Sequence, residues 1–180
     1  REECELLGYN DHPYNALVDL YEPNATVKDL DVLFNDVKRH LVPFVKEIAN
    51  AKQNNDSLMY NYYDKDKQLA FTEELLAQMG YDFSAGRQDI SSHPFTTNFG
   101  PLDVRVTTRV NENNINEILW SSIHEGGHAL YEQGLKEENY GLPAGSYLSL
   151  GIHESQSRLW ENNVGRSRVY WDYNFRRLQE

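Results

Sequence analysis

Cysteine is almost absent from this 180-residue sequence, which contains only Cys4. A single cysteine cannot form a disulfide within the chain, and disulfides are the usual sign of an oxidising compartment. The first residues, REECELLGYN, carry no signal-peptide pattern, and no apolar run approaches the roughly 20 residues that span a bilayer. We therefore expect a cytoplasmic protein with no membrane partner.

Positive charge is also scarce. The sequence has 17 Lys and Arg against 28 Asp and Glu, which gives a formal net charge of -11. Because no basic stretch is present to displace counterions from phosphates, nucleic acid is excluded as a partner. The hydrophobic content of 39% is ordinary for a globular protein, and the length suits one domain with a core. We expect a single domain over residues 1–180.

Apolar residues recur at helical spacing through most of the sequence. One such pattern follows a capping residue, Thr26, and contains Pro43, which predicts a kink or a break near His40. Further helices are predicted over residues 64–80, over residues 114–134 after a cap at Asn113 or Asn114, and from residue 146 onward. Residues 95–110, FTTNFGPLDVRVTTRV, instead predict an antiparallel hairpin. The predicted fold is mainly α with a small antiparallel β-hairpin or sheet.

Residues 118–134, ILWSSIHEGGHALYEQG, place His124 and His128 four positions apart around Glu125. Positions i and i+4 lie on one face of a helix, so both imidazoles can point at one metal ion. Glu125 can reach a water molecule on that metal without being a ligand. Zinc lowers the pKa of such a water towards about 7, and the carboxylate can move its proton. The competing interpretation is coincidence, since HExxH arises by chance in roughly two of a hundred such chains.

Catalytic zinc requires a third protein ligand, and the later segment GIHESQSRLWEN offers Glu154. A loop and a returning helix would bring this carboxylate to the two histidines. The alternative role for Glu154 is a surface ion pair with Arg158, four residues on, which contributes only about 0.3 to 0.5 kcal/mol. His153 precedes Glu154 and points elsewhere on a helix, so we expect it to pack rather than to bind metal.

The segment HEGGHALYEQG, followed by LPAGSYLSLGIHESQSRLWEN, resembles the M32 family of metallocarboxypeptidases, of the thermostable carboxypeptidase 1 type. The resemblance extends upstream to HPF at residues 93–95 and to the DxRxT pattern at Asp103, Arg105 and Thr107. It also includes NALVDLYEP near the beginning, so it covers most of the chain.

The resemblance implies a zincin-like helical core with a small sheet beside the active-site groove. It implies His124, His128 and Glu154 as metal ligands and Glu125 as the general base and proton shuttle. The expected metal is Zn²⁺, with Co²⁺ or Mn²⁺ as substitutes. The expected activity is release of C-terminal residues from peptides with broad specificity, with proline disfavoured, and the expected assembly of the full-length protein is a homodimer.

Four further residues are expected to bind substrate or to support the site: His93, Asp103, Arg105 and Thr107. Arg105 either contacts the substrate or forms an ion pair with Asp103, and the sequence leaves both open. His93 is either a turn residue or a hydrogen-bond donor behind the metal. A strand edge in the hairpin could pair with an extended peptide.

The sequence also departs from the resembled family, whose members have about five hundred residues. It begins without methionine, ends in a helical pattern, and lacks the family motifs IRxxAD and GxxQDxHW, so we expect a catalytic core fragment. The missing motifs include the arginine expected to bind the terminal carboxylate of the substrate. Two hypotheses follow: a zinc-dependent metallocarboxypeptidase using metal-activated water, or a zinc-binding helical fragment or degenerate homologue that serves as a structural or interaction module.

Overall fold

The computed structural model describes residues 1–180, the whole chain. Its helices are α1 (Glu2–Leu7), α2 (Asn15–Asp19), α3 (Val27–Asn50), α4 (Lys65–Met79), α5 (Asn116–Gln133), α6 (Leu150–Arg158) and α7 (Arg168–Leu178), and a π-helix spans Leu159–Gly165. Its strands are β1 (Gly86–Ile90), β2 (Thr96–Asn98) and β3 (Val104–Thr108). The predicted mainly α fold with a small sheet is confirmed. None of the helices has the length and apolar character needed to cross a membrane.

The chain divides into two compact units, Arg1–Asn55 and Asp56–Glu180. The first contains α1 to α3, and the second contains the sheet and the remaining helices. The single domain expected over residues 1–180, and its place in a larger catalytic protein, stay predictions. The second unit contains every residue of the expected site.

Helix α3 begins where its cap was predicted. The Thr26 hydroxyl accepts a hydrogen bond of 3.1 Å from the backbone N–H of Asp29. The helix continues through Pro43 to Asn50, so the break considered near His40 does not occur. Proline removes one backbone donor, and this part of the helix is exposed, so water can satisfy the carbonyl group that loses its partner.

Helix α4 brings apolar residues into the core and ends at the predicted glycine. Gly80 adopts a φ of 102°, a left-handed conformation that favours glycine, and the N–H of Tyr81 donates to the Leu76 carbonyl over 3.0 Å. Leu75 and Leu76 are fully buried. Full burial of such a side chain contributes about 1.5 to 3 kcal/mol.

Strand β3 lies at the centre of the three-stranded sheet, in the order β1-β3-β2. Strands β2 and β3 form the predicted antiparallel hairpin, in which Thr97 lies opposite Arg105. Strand β1 pairs with β3 in parallel and was not predicted as a strand, because its sequence GRQDI lacks alternating apolar residues. Val104 and Val106 of β3 are fully buried.

Helix α5 runs through the core and packs against α4, α6, β3 and the π-helix. Its first backbone N–H, at Asn116, donates to the side chain of Asn114 over 3.2 Å, close to the predicted cap. Ile118, Leu119 and Ile123 fill the core on one side. The helix that carries the HExxH motif is therefore held on several sides.

The pKa of Tyr81 predicts how stability depends on alkaline pH. Burial raises this pKa from 10.0 to about 12, and the phenol donates to the Val104 carbonyl over 2.5 Å. Since the folded-state pKa exceeds the unfolded one, the stabilisation is complete below about pH 10 and is lost as pH rises towards 12. Tyr81→Phe should lower the free energy of unfolding by about 1 kcal/mol at pH 8 and flatten its decline above pH 10.

Urea unfolding followed by circular dichroism between pH 8 and 12 measures both effects. Tyr173→Phe, at a residue with 66% exposure, is the control and should leave the profile unchanged. A decline above pH 10 that is equally steep in wild type and Tyr81→Phe would contradict the prediction.

Candidate metal centre

The two histidines of α5 lie one helical turn apart on the same face. The ring centroids of His124 and His128 are 4.9 Å apart, and each side chain is mostly buried. Both direct Nε2 towards the same carboxylate oxygen, which belongs to Glu154 of α6. The structure therefore brings together the three residues that the sequence predicts as ligands, and their binding of a metal stays a prediction.

Glu154 completes a three-residue cluster. Its Oε2 lies 3.6 Å from His124 Nε2 and 3.3 Å from His128 Nε2, and the candidate ligand atoms all lie within 4.8 Å of one another. Ligands at about 2.0 to 2.1 Å from a tetrahedral zinc ion are separated by about 3.3 to 3.4 Å. The two distances from Glu154 to the histidines are close to this separation, and two imidazoles with one carboxylate are ligand types that suit such an ion.

Glu125 lies next to this cluster and is held by an edge strand. Its side chain is buried, and the Thr96 hydroxyl of β2 donates to Oε2 over 2.8 Å. Burial raises the pKa of Glu125, and the hydrogen bond from Thr96 and the charge of His124 oppose this effect. Thr96 was not predicted as a site residue, since nothing in its spacing distinguishes it from the other threonines of the hairpin.

The electrostatic surroundings of His128 favour the form that can bind a metal. Burial, with the neighbouring His153 and His124, lowers the pKa of His128 to about 4, so its imidazole is neutral near pH 7. Burial of Glu154 acts to raise its pKa, but hydrogen bonds from Arg158 and Ser157 and the nearby His124 outweigh it, and the pKa lies below its usual value. The cluster therefore offers the neutral imidazole of His128 and an ionised carboxylate.

Side chains that are not candidate ligands contact the far nitrogen of each histidine. Glu161 Oε2, in the π-helix, lies 3.0 Å from His124 Nδ1. His153 Nδ1 lies 2.5 Å from His128 Nδ1, and Glu132 Oε1 lies 2.7 Å from His153 Nε2. His153 thus does more than pack. The position of Glu132 near His128 could have been predicted from the sequence, because Glu132 follows His128 by four residues on α5.

Asp103 and Arg105 form the ion pair that was one of the two expectations. Arg105 donates from two nitrogens to the two carboxylate oxygens of Asp103 over 2.7 and 2.8 Å, and its guanidinium lies 5.3 Å from the centre of the Phe99 ring. The hydrogen bond from Arg105 lowers the pKa of Asp103. Contact of Arg105 with substrate stays a prediction.

Thr107 of β3 contacts the turn that contains His93 and leads into β2. The Thr107 hydroxyl accepts from the backbone N–H of Phe95 over 2.9 Å and lies 2.8 Å from the Ser91 hydroxyl, which itself donates to the His93 carbonyl. The charge of His93 acts weakly on the pKa of Glu125. Thr107 therefore fixes the turn, while the expected role of His93 behind a metal stays a prediction.

The two glycines of the HEGGH sequence face two different helices. A Cβ atom on Gly127 would lie 2.6 Å from the Cα atom of Ser157 in α6. A Cβ atom on Gly126 would instead meet the ends of the Leu76 and Met79 side chains of α4, at 2.4 and 2.9 Å. Glycine at these positions costs about 0.5 to 1 kcal/mol of helix stability, and the close approach of the neighbouring helices explains why it is present.

The chain is similar to known metallopeptidases along its whole length. The family model described as Carboxypeptidase Taq (M32) metallopeptidase matches residues 1–180. The chain is 42% identical over 174 residues to "Carboxypeptidase 1" of Bacillus subtilis (strain 168), covering 96% of this chain and 35% of that protein. This chain belongs to the M32 family of metallopeptidases.

Solved structures agree with that assignment. One called "The Structure of CHT" has a TM-score of 0.93 and 58% identity, covering 99% of this chain and 36% of that one. The M32 carboxypeptidase from Deinococcus radiodurans R1 has a TM-score of 0.89 and 40% identity, covering 93% of this chain and 34% of that one. The chain spans about a third of the length of the relatives it matches.

The contact at Gly127 generates a testable difference between two neighbouring substitutions. Gly127→Ala forces the backbones of α5 and α6 apart and should lower the free energy of unfolding by about 1 to 3 kcal/mol. It should also weaken metal binding, because Glu154 moves with α6. Gly126→Ala meets only flexible side-chain ends and gains helix propensity, so its cost should be smaller.

Chemical denaturation and titration with Zn²⁺ in competition with a chelator, performed on both variants, measure these effects. Equal stability and equal metal affinity in the two variants would show that the approach of α5 and α6 does not constrain the site.

Proposed function

We propose that this chain is the metal-binding core of a zinc-dependent metallocarboxypeptidase, which hydrolyses the C-terminal peptide bond of peptides. The observation that supports this most directly is the cluster of His124, His128 and Glu154 with the buried carboxylate of Glu125 beside it. Membership of the M32 metallopeptidase family supports the same conclusion. We take Zn²⁺ as the metal, while Co²⁺ and Mn²⁺ suit the same ligands.

In this proposal His124, His128 and Glu154 hold the ion. When bound, zinc supplies a water molecule with a lowered pKa and a positive charge that polarises the substrate carbonyl. Glu125 accepts the proton of the attacking water and returns it to the leaving amine. Its burial, which raises the pKa, helps it to hold that proton between the two transfers, and the Thr96 hydroxyl fixes the carboxylate in position.

The outer edge of β2 provides a place for an extended peptide next to Glu125. Strand β2 lies at the edge of the sheet, and Phe99 and Phe95 direct their backbone groups at β3. Backbone hydrogen-bonding groups alternate in direction along an antiparallel strand. The groups of Thr96 and Asn98 therefore point away from β3, where a peptide backbone could pair with them.

Specificity for the terminal residue is proposed for the whole protein, since the chain spans about a third of the length of its relatives. We propose broad specificity with proline disfavoured, a cytoplasmic location and a homodimeric assembly, on the basis of the resemblance to M32 carboxypeptidases. His93 and Arg105 are proposed to lie along the substrate path or behind it.

The deciding experiment uses the full-length protein that contains this chain. Stoichiometric zinc and release of the last amino acid from an N-blocked dipeptide, with no reaction when its terminal carboxylate is amidated, would support a carboxypeptidase. Stoichiometric zinc without turnover would instead support the alternative, a metal-binding structural or interaction module. Absence of bound metal would reject both.

Replacement of Glu125 separates chemistry from metal binding. Glu125→Gln keeps the shape of the side chain and its hydrogen bond from Thr96 but removes the base, so kcat should fall by about a hundredfold to ten-thousandfold. Zinc content, measured by atomic absorption, should be unchanged. Loss of zinc from this variant would show that Glu125 is a ligand, contrary to the proposed division of roles.

Replacement of Glu154 tests the third ligand against its alternative role as the ion-pair partner of Arg158. Glu154→Ala should lower zinc affinity by more than about a hundredfold, because only two protein ligands remain. Arg158→Ala removes the same ion pair of 2.8 Å but keeps the ligand, so its affinity should fall far less. Chelator competition measures the zinc affinity of both variants. Equal losses of affinity would mean that the effect of Glu154→Ala comes from the broken ion pair with Arg158 and not from a lost ligand.

A further inference from the structure

His128 can bind a metal through Nε2 only in one of its two neutral tautomers. A neutral imidazole carries one N–H, and the other nitrogen offers the lone pair that a metal requires. Binding through Nε2 therefore requires the proton to reside on Nδ1. The group that faces Nδ1 decides whether this tautomer is stable.

For His124 that group is the Glu161 carboxylate, which can only accept. Its Oε2 lies 3.0 Å from Nδ1, and its two oxygens also accept from Arg158 and Arg166 over 3.2 and 2.7 Å. A carboxylate behind a metal-binding histidine is a common arrangement. Because both arginines bind Glu161, its carboxylate would keep hydrogen-bond partners even without His124.

The arrangement behind His128 differs, since another imidazole faces its Nδ1. His153 Nδ1 lies 2.5 Å away, and only one of the two nitrogens can carry the proton between them. The imidazole of His153 could donate or accept at this contact. The tautomer of His128 therefore depends on whether His153 Nδ1 carries a proton.

Glu132 determines which nitrogen of His153 carries the proton. Its Oε1 lies 2.7 Å from Nε2 of His153, and an ionised carboxylate accepts but cannot donate. Neutral His153 must therefore carry its proton on Nε2, which leaves Nδ1 as an acceptor. The proton between the two rings then belongs to His128 Nδ1, and His128 Nε2 is free to bind.

Two observations indicate that Glu132 is present for this contact. It is 7% exposed, and a carboxylate that deep in the fold is costly unless it is hydrogen-bonded. It forms no ion pair with Lys or Arg, and its side chain is hydrogen-bonded to His153. The His153 ring is itself held between the rings of Tyr131 and Tyr147, at centroid distances of 5.0 and 5.4 Å.

From this geometry we infer that Glu132, acting through His153, is a positioning residue of the metal centre: it holds His128 in the tautomer that presents Nε2 to the ion. The inference rests on the proposed function for the presence of the ion. Neither residue touches the ion or the reacting atoms.

The test is a double-mutant cycle on zinc affinity in the full-length protein. Glu132→Gln keeps the volume of the side chain, but its amide can donate to His153 Nε2 and so allows the other tautomer. Zinc affinity, from chelator competition, should fall by about tenfold to a hundredfold. Glu138→Gln removes an equal charge from an exposed residue near the end of the same helix, and its affinity should match wild type.

His153→Phe keeps a ring between the two tyrosines and removes both nitrogens. It should lower the affinity by a similar factor, and Glu132→Gln should then have no further effect in this background, since its route to His128 is gone. The visible spectrum of the Co²⁺-loaded protein should change in both single variants, which a purely structural role for Glu132 would not produce.

Three results would overturn the inference. These are an unchanged zinc affinity in Glu132→Gln, an unchanged affinity in His153→Phe, and an equal effect of Glu132→Gln with and without His153. Failure of the proposed function would give a different pattern: wild type would either bind no stoichiometric zinc, or bind zinc that depends on Glu132 as expected and yet release no amino acid from the blocked dipeptide. Should Glu132→Gln not fold, His153→Phe alone still decides between the expected loss and no change.

Discussion

The close approach of α5 and α6 at Gly127 is the constraint on which the site depends. No side chain fits between the two backbones there, since a Cβ atom would lie 2.6 Å from Ser157 Cα. This contact brings Glu154, three residues before Ser157, to within 3.3 Å of His128. The glycine that weakens α5 as an isolated helix therefore allows candidate ligands from two helices to meet at one point.

Each group at this point is held by a different element of the fold. Thr96 of β2 contacts Glu125, Glu161 of the π-helix contacts His124, and His153 of α6 contacts His128. A flexible site would lose conformational entropy when it ordered around an ion. These hydrogen bonds set the orientation of the side chains, which lowers the conformational entropy that the site would lose on binding an ion.

The sequence predicted the helices, the hairpin and the meeting of His124, His128 and Glu154, because helical spacing and a loop of suitable length determine those features. It did not predict β1, whose polar sequence becomes a strand only by pairing with β3. The apolar residues at helical spacing after Thr26 do form a helix, α3. They are not buried, however, and Leu33 for example is about half exposed. The spacing of apolar residues therefore predicts whether a segment is helical better than it predicts which other segments pack against it.

The partners of the ligands were the hardest features to predict. Thr96 reaches Glu125 across 29 positions of sequence, and no periodicity joins a strand to a helix over that distance. Glu132, by contrast, lies on the same face of α5 as His128 and could have been found from spacing alone. Contacts within one element can be predicted from sequence, while contacts between elements depend on how those elements pack.

The two oxygens of Glu154 are already divided between different tasks. Oε1 accepts from Arg158 Nε over 2.8 Å, and Oε2 faces the two histidines. In the proposed site, Arg158 would keep Oε1 and Glu154 would offer Oε2 to the ion. The three side chains would then offer three donor atoms, which would leave coordination positions for a water molecule and for the carbonyl oxygen of the proposed peptide substrate.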